Sequence, residues 1–115
     1  MRTVTFVDRP EDLGKYFIER MKSGDLEGIV ALYEPEATIM LGPGRSITGH
    51  DAIRQVLKNY LSSRPIDSAL QQQTIRHGRL ALTLRRLPNG HSSVEVARCQ
   101  SDGTWLWLIN CPQIA

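Results

Sequence analysis

Residues Leu80 to Asn110 read LALTLRRLPNGHSSVEVARCQSDGTWLWLIN, and this stretch decides the fold. Asn89-Gly90 and Asp102-Gly103 are strong hairpin signals, because a type I′ turn needs positive φ at both of its central residues. They divide the stretch into three expected strands, Leu80–Leu87, His91–Gln100 and Thr104–Asn110. Taking each pair as a two-residue turn sets Leu84 opposite Glu95, and Glu95 opposite Asn110. Leu82–Ala97–Leu108 and Leu80–Cys99–Leu106 follow on the same face, since side chains alternate along a strand. A carboxylate, Glu95, then stands with Asn110 at one end of an otherwise apolar row, which makes it the first candidate for function.

In that register the opposite face carries Ala81, Thr83, Arg85, Val94, Val96, Arg98, Trp105, Trp107 and Ile109. A sheet with one solvated face alternates apolar and polar residues cleanly, and this face is too apolar for that. The few helices of a small domain cover one face, so a second subunit is the expected cover for the other. The expectation is a homodimer joined through Trp105, Trp107, Ile109, Val94 and Val96.

The chain has 115 residues, 41% hydrophobic and 23% charged, which is globular composition and length for a single domain spanning residues 1–115. A net charge of +2, with scattered arginines and no basic patch interleaved with aromatics, argues against nucleic acid as a partner. No apolar run approaches the roughly 18 residues of a membrane span. The opening Met1-Arg2-Thr3-Val4 lacks a secretory h-region, and the reading is cytoplasmic. Cys99 and Cys111 fall apart in the derived register, which disfavours a disulfide. Those two cysteines and the dispersed His50, His77 and His91 match no zinc spacing, so neither metal nor cofactor is expected.

The first half of the chain reads as helical. Leu13, Tyr16, Phe17 and Met21 form one apolar stripe of a helix from about Pro10 to Lys22, ended by Ser23-Gly24. Asp25 caps a short second helix with the stripe Leu26, Ile29, Val30 and Tyr33, and Pro35 is expected to stop it. Ala37–Leu41 and Ser46–Thr48 read as short strands around a Gly42-Pro43-Gly44 turn. A third helix is expected from Gly49 to Ser63, terminated by Pro65, and a polar strand from Asp67 to His77 leads into the meander. Helices first and strands after argue for an α+β fold. Gly42-Pro43-Gly44-Arg45-Ser46 lacks phosphate-loop spacing and reads as a tight turn.

The run Met21-Lys22-Ser23-Gly24-Asp25-Leu26-Glu27-Gly28-Ile29-Val30-Ala31-Leu32-Tyr33-Glu34-Pro35-Glu36-Ala37-Thr38 resembles the helix-pair opening of the ketosteroid-isomerase-like (SnoaL-like) branch of the nuclear-transport-factor-2-like superfamily. Gly49-His50-Asp51-Ala52-Ile53-Arg54 is similar to the start of that family's third helix, and Ser101-Asp102-Gly103-Thr104-Trp105 to its last hairpin. The resemblance implies a cystatin-like cone: a curved, mixed or antiparallel sheet wrapped around about three N-terminal helices, with a deep apolar pocket and a dimer face on the outer sheet. Its isomerase residues carry over poorly. The base position falls on Leu41, and the oxyanion-hole tyrosine position falls on Phe17. The second oxyanion donor falls on Glu95, by the logic of ketosteroid isomerase, where an apolar site keeps a carboxylic acid protonated.

Glu95 is therefore the candidate acid or hydrogen-bond donor, with Asn110 orienting it; the plainer alternative is a carboxyl satisfied by Asn110 and Arg86. Tyr16, Phe17, Tyr33, Met40, Leu41, Tyr60, His77, Leu82, Leu84 and Leu108 are the expected pocket residues. These readings imply a binding protein for a small hydrophobic molecule, with a cofactor-independent isomerase, dehydratase or cyclase as its enzymatic form. The alternative is a non-catalytic dimerisation or scaffold domain.

Overall fold

The computed structural model describes residues 6–63, 71–88 and 90–114. A 3-10 turn (Pro10–Asp12) runs into α1 (Leu13–Ser23), followed by α2 (Leu26–Val30) and, after two strands, α3 (His50–Ser63). The strands are β1 (Tyr33–Gly42), β2 (Arg45–Thr48), β3 (Gln71–His77), β4 (Leu80–Arg86), β5 (Ser92–Cys99) and β6 (Trp105–Ile114). They form one six-stranded sheet in the order β2-β1-β6-β5-β4-β3, antiparallel except for the β1–β6 pair. Pro65, residues 67–70 of the expected leading strand, and Asn89 lie outside the described residues.

Local chemistry explains the helical half. Gly24 closes α1 at φ 71°, its N–H bonding the Met21 carbonyl while Asp25 N–H bonds that of Arg20, a Schellman ending. The Asp25 carboxylate then accepts from Gly28 N–H at 3.0 Å and starts α2. That helix ends at Ala31, so Pro35 does not stop it. Pro35 instead lies in β1, where the β1–β6 register breaks between Tyr33 and Thr38 and the ladder does not need its missing N–H. Leu13, Met21, Ile29, Ile53 and Leu57 of the helices pack with Tyr33, Ile39, Ala81, Ala97, Trp105 and Trp107 of the sheet in the core.

The meander is present but its register differs from the expected one. In the first hairpin Leu87 N–H donates to the His91 carbonyl at 2.9 Å, and Gly90 N–H to the Leu87 carbonyl at 3.1 Å. The loop runs from Pro88 to Gly90, one residue longer than a two-residue turn. Pro88 presets the second position of the turn, and Gly90 at φ 88° closes the three-residue loop. Thr83, not Leu84, consequently faces Glu95. A slip of one residue turns a whole strand over. Ala81, Thr83 and Arg85 lie inside, whereas Leu80, Leu82 and Leu84 are 41%, 41% and 42% exposed on the outer face.

The second hairpin repeats the pattern. Gln100 pairs with Thr104, and Gly103 N–H closes on the Gln100 carbonyl at 2.9 Å. Cys99 therefore faces Trp105, and Ala97 faces Trp107. Both tryptophans are buried in the core, so they are not the outer face on which the expected dimer was drawn. Leu108 is an extra residue in β6 between the Ala97–Trp107 and Val96–Ile109 rungs. This bulge displaces the register by one more residue and restores the expected pairing of Glu95 with Asn110. The outer face that results carries Ile75, Leu80, Leu82, Leu84, Val94, Val96 and Ile109. No helix among the described residues is long and apolar enough to cross a membrane.

Candidate functional site in the sheet interior

The inner face of the meander is polar at one end. β4 supplies Thr83 and Arg85, β5 supplies Ser93 and Glu95, and β6 supplies Asn110, with Thr74 of β3 behind Thr83. Arg85 Nη2 lies 3.1 Å from Glu95 Oε1, and the Ser93 hydroxyl donates to Glu95 Oε2 at 2.9 Å. Asn110 Nδ2 donates to the Tyr33 hydroxyl oxygen at 3.3 Å. The Thr74 and Thr83 hydroxyls are 3.0 Å apart. Glu95 and Asn110 are only 3% and 7% exposed. Burial pushes the Glu95 carboxyl above its ordinary value, against the opposing pull of Arg85 and the Ser93 hydrogen bond. Burial, with the Glu95 charge nearby, also raises the Tyr33 phenol.

Two atoms in this network have no hydrogen-bond partner although fully buried: Arg85 Nε and Asn110 Oδ1. A buried polar group left unpaired costs about 1–3 kcal/mol, so such atoms in a native interior call for an explanation. Arg85 reaches its place because Gly14 of α1 has no side chain. A Cβ on Gly14 would stand 2.5 Å from Arg85 Nη1 and 3.3 Å from its Cζ.

The expected pocket residues divide between the two sides of the sheet. Phe17 packs edge-on against Trp107 with ring centroids 5.7 Å apart, and Tyr33 lies 5.1 Å from the same ring. Tyr60 of α3 is half-buried and close enough for its charge to bear on the Tyr33 phenol. Tyr16 is half-buried with Lys15 and Arg20 over its ring. Met40 is half-buried opposite Ser46, and Leu41 is 38% exposed near the tip of the β1–β2 hairpin. His77 is exposed at the end of the edge strand. Leu82 and Leu84 face outward and do not line the interior, and Leu108 sits in the bulge. A cavity of about 110 Å³ is lined by Gln71, Gln72, Gln73, Leu84, Arg86 and Ser92; neither Glu95 nor Asn110 lines it.

Arg85 is the functional candidate the two-residue register hides, because that register points it outward. It, and not the exposed Arg86, neutralises Glu95. Pro88 ahead of Asn89-Gly90 is the signal that reveals it. Chemically, both Glu95 oxygens are engaged by donors, so the carboxyl is not poised to give a proton to a ligand.

No family model and no curated protein matches this sequence. Solved structures do match it. A ketosteroid isomerase-like protein from Erwinia carotovora atroseptica superimposes with a TM-score of 0.72 at 16% identity, covering 91% of this chain and 93% of the other. An NTF2-like protein of unknown function from Pseudomonas putida gives 0.70 at 16% identity, over 87% and 80%. A candidate calcium/calmodulin-dependent protein kinase type II association domain from Thiobacillus denitrificans gives 0.73 at 12% identity, over 94% and 96%. The fold is NTF2-like, an α+β arrangement of three helices and a curved six-stranded sheet.

Proposed function

We propose that this chain is a binding protein for a small polar molecule held in the sheet interior, and that it does not catalyse proton transfer. The observation that carries the reading is the buried, unpartnered pair Arg85 Nε and Asn110 Oδ1 beside the Glu95–Ser93 and Tyr33 contacts. An apolar ligand fits this end poorly, since Leu82 and Leu84 face outward and hydrogen-bonding groups stand on the inner face. Proton abstraction lacks a base, because Leu41 occupies the base position implied by the resemblance. The Glu95 carboxyl, which the resemblance would make the donor, is held by Arg85 and Ser93.

We further propose that the active form is a homodimer joined through the outer sheet face. Five exposed large hydrophobics converge there: Ile75 at 68%, Ile109 at 42%, and Leu80, Leu82 and Leu84. Contiguous exposed apolar area of this kind marks interaction surfaces. The scaffold reading draws support from the Phe17–Tyr33–Trp107 packing, which fills part of the interior with the protein's own rings.

The test of non-catalytic binding is hydrogen–deuterium exchange of an enolisable ketone in D₂O, followed by NMR alongside the protein's own side-chain resonances. The expected result is exchange at the buffer rate, with Tyr33 and Asn110 signals perturbed by small polar molecules. Exchange above the buffer rate that disappears in Glu95→Gln would overturn the reading.

A further inference from the structure

We infer that the ligand presents to Arg85 and Asn110 an uncharged group that accepts one hydrogen bond and donates another, a carboxamide or a hydroxyl. The inference rests on the reading of the interior as a ligand site and narrows it to a chemical class. Arg85 Nε carries a hydrogen with no acceptor, and Asn110 Oδ1 is an acceptor with no donor. The two residues stand on β4 and β6, on either side of β5, whose Ser93 and Glu95 are their register partners. Their other ends already make contacts within the network. Arg85 Nη2 and the Ser93 hydroxyl serve Glu95, and Asn110 Nδ2 serves Tyr33. The fully buried atoms of this network left with no partner at all are thus one donor and one acceptor, and a ligand group that satisfies both must supply the complement of each.

Other classes fail on this count. A ketone or ester oxygen satisfies Arg85 Nε and leaves Asn110 Oδ1 bare. A carboxylate does the same, sets a lone pair against Asn110 Oδ1, and brings negative charge toward the Glu95 carboxyl across the strand pair. An ammonium satisfies Asn110 Oδ1 and repels the guanidinium. A site whose buried polar groups are matched by one ligand rejects analogues that leave a group unpaired.

The experiment titrates the intact protein with isobutyramide, isobutanol, methyl isopropyl ketone and isobutyrate, reading the Arg85 Nε–H and Asn110 side-chain NH₂ resonances. The amide or the alcohol should shift both signals and bind about tenfold more tightly than the ketone and the carboxylate. Arg85→Lys keeps the positive charge beside Glu95 but has no Nε–H, and Asn110→Leu removes the acceptor. Each should abolish the preference. If the ketone or the carboxylate binds equally well and shifts the same signals, the class is wrong while the interior remains a ligand site. If no probe moves any interior resonance of the wild-type protein, both the class and the ligand site fall. The wild-type series decides the matter even if a variant does not fold.

Discussion

Glu34 and Glu95 are both nearly buried, and their surroundings push them in opposite directions. Glu34 accepts two hydrogen bonds from Arg98, at 2.8 and 2.5 Å, and one from Gln100 at 2.8 Å. The Arg98 hydrogen bonds outweigh burial and hold its carboxyl below the ordinary 4.5. At Glu95 burial wins and the carboxyl rises. As pH falls from 4.5, the unfolded chain takes up a proton at Glu34 before the folded one does. The stability Glu34 contributes is therefore complete above that value and lost as the pH drops through the folded one. The melting temperature of the wild type should fall more steeply over this window than that of Glu34→Gln. Parallel pH profiles would show that the pair contributes nothing. The two-residue register pairs Glu95 with Asn110 only because the bulge at Leu108 offsets the longer loop, and it does not show the partner that governs Glu95. Arg85 and Arg86 are adjacent and identical in type, and only the length of the loop beyond them decides which one turns inward.

That loop length is decided within the hairpins, where element existence and element register part company. The three helices, the β1–β2 hairpin and the meander follow from caps, stripes and turn residues that act over a few positions. Register depends on whether a glycine closes two residues or three, and on a bulge at Leu108 that no residue type announces. Gly90 and Gly103, at φ 88° and 87°, are the positions where each three-residue loop closes. A Cβ on Gly103 would meet only Phe6 Cζ at 3.9 Å, an ordinary contact. The cost of Gly103→Ala is therefore the backbone's own, about 1–2 kcal/mol for a left-handed alanine. Chemical denaturation should show that loss with an unchanged m-value, and a smaller loss for Gly103→Asn. An alanine variant as stable as the wild type would mean that the loop does not need this conformation.

At the scale of the whole molecule, the register correction exchanges the roles of the two faces. Trp105 and Trp107 belong to the core, so a charge at Trp107, 2% exposed, should unfold the chain and not merely separate subunits. Leu82→Glu places its charge on the outer face and should leave the fold intact while halving the mass seen by sedimentation equilibrium. A wild type that sediments as a monomer at all concentrations would remove the dimer, and a dimeric Leu82→Glu would move it to another surface. That the fold itself was readable while the sidedness of the sheet was not reflects a difference in range: helix stripes survive a one-residue error, and strand faces invert under it. β6, residues Trp105–Ile114, lies in the middle of the sheet between β1 and β5. Until a ribosome has delivered it, β2–β1 and β5–β4–β3 are two ladders that share no strand pairing. The sheet of a nascent chain cannot assemble progressively from its beginning; it forms only after the last strand emerges and slots between the earlier ones.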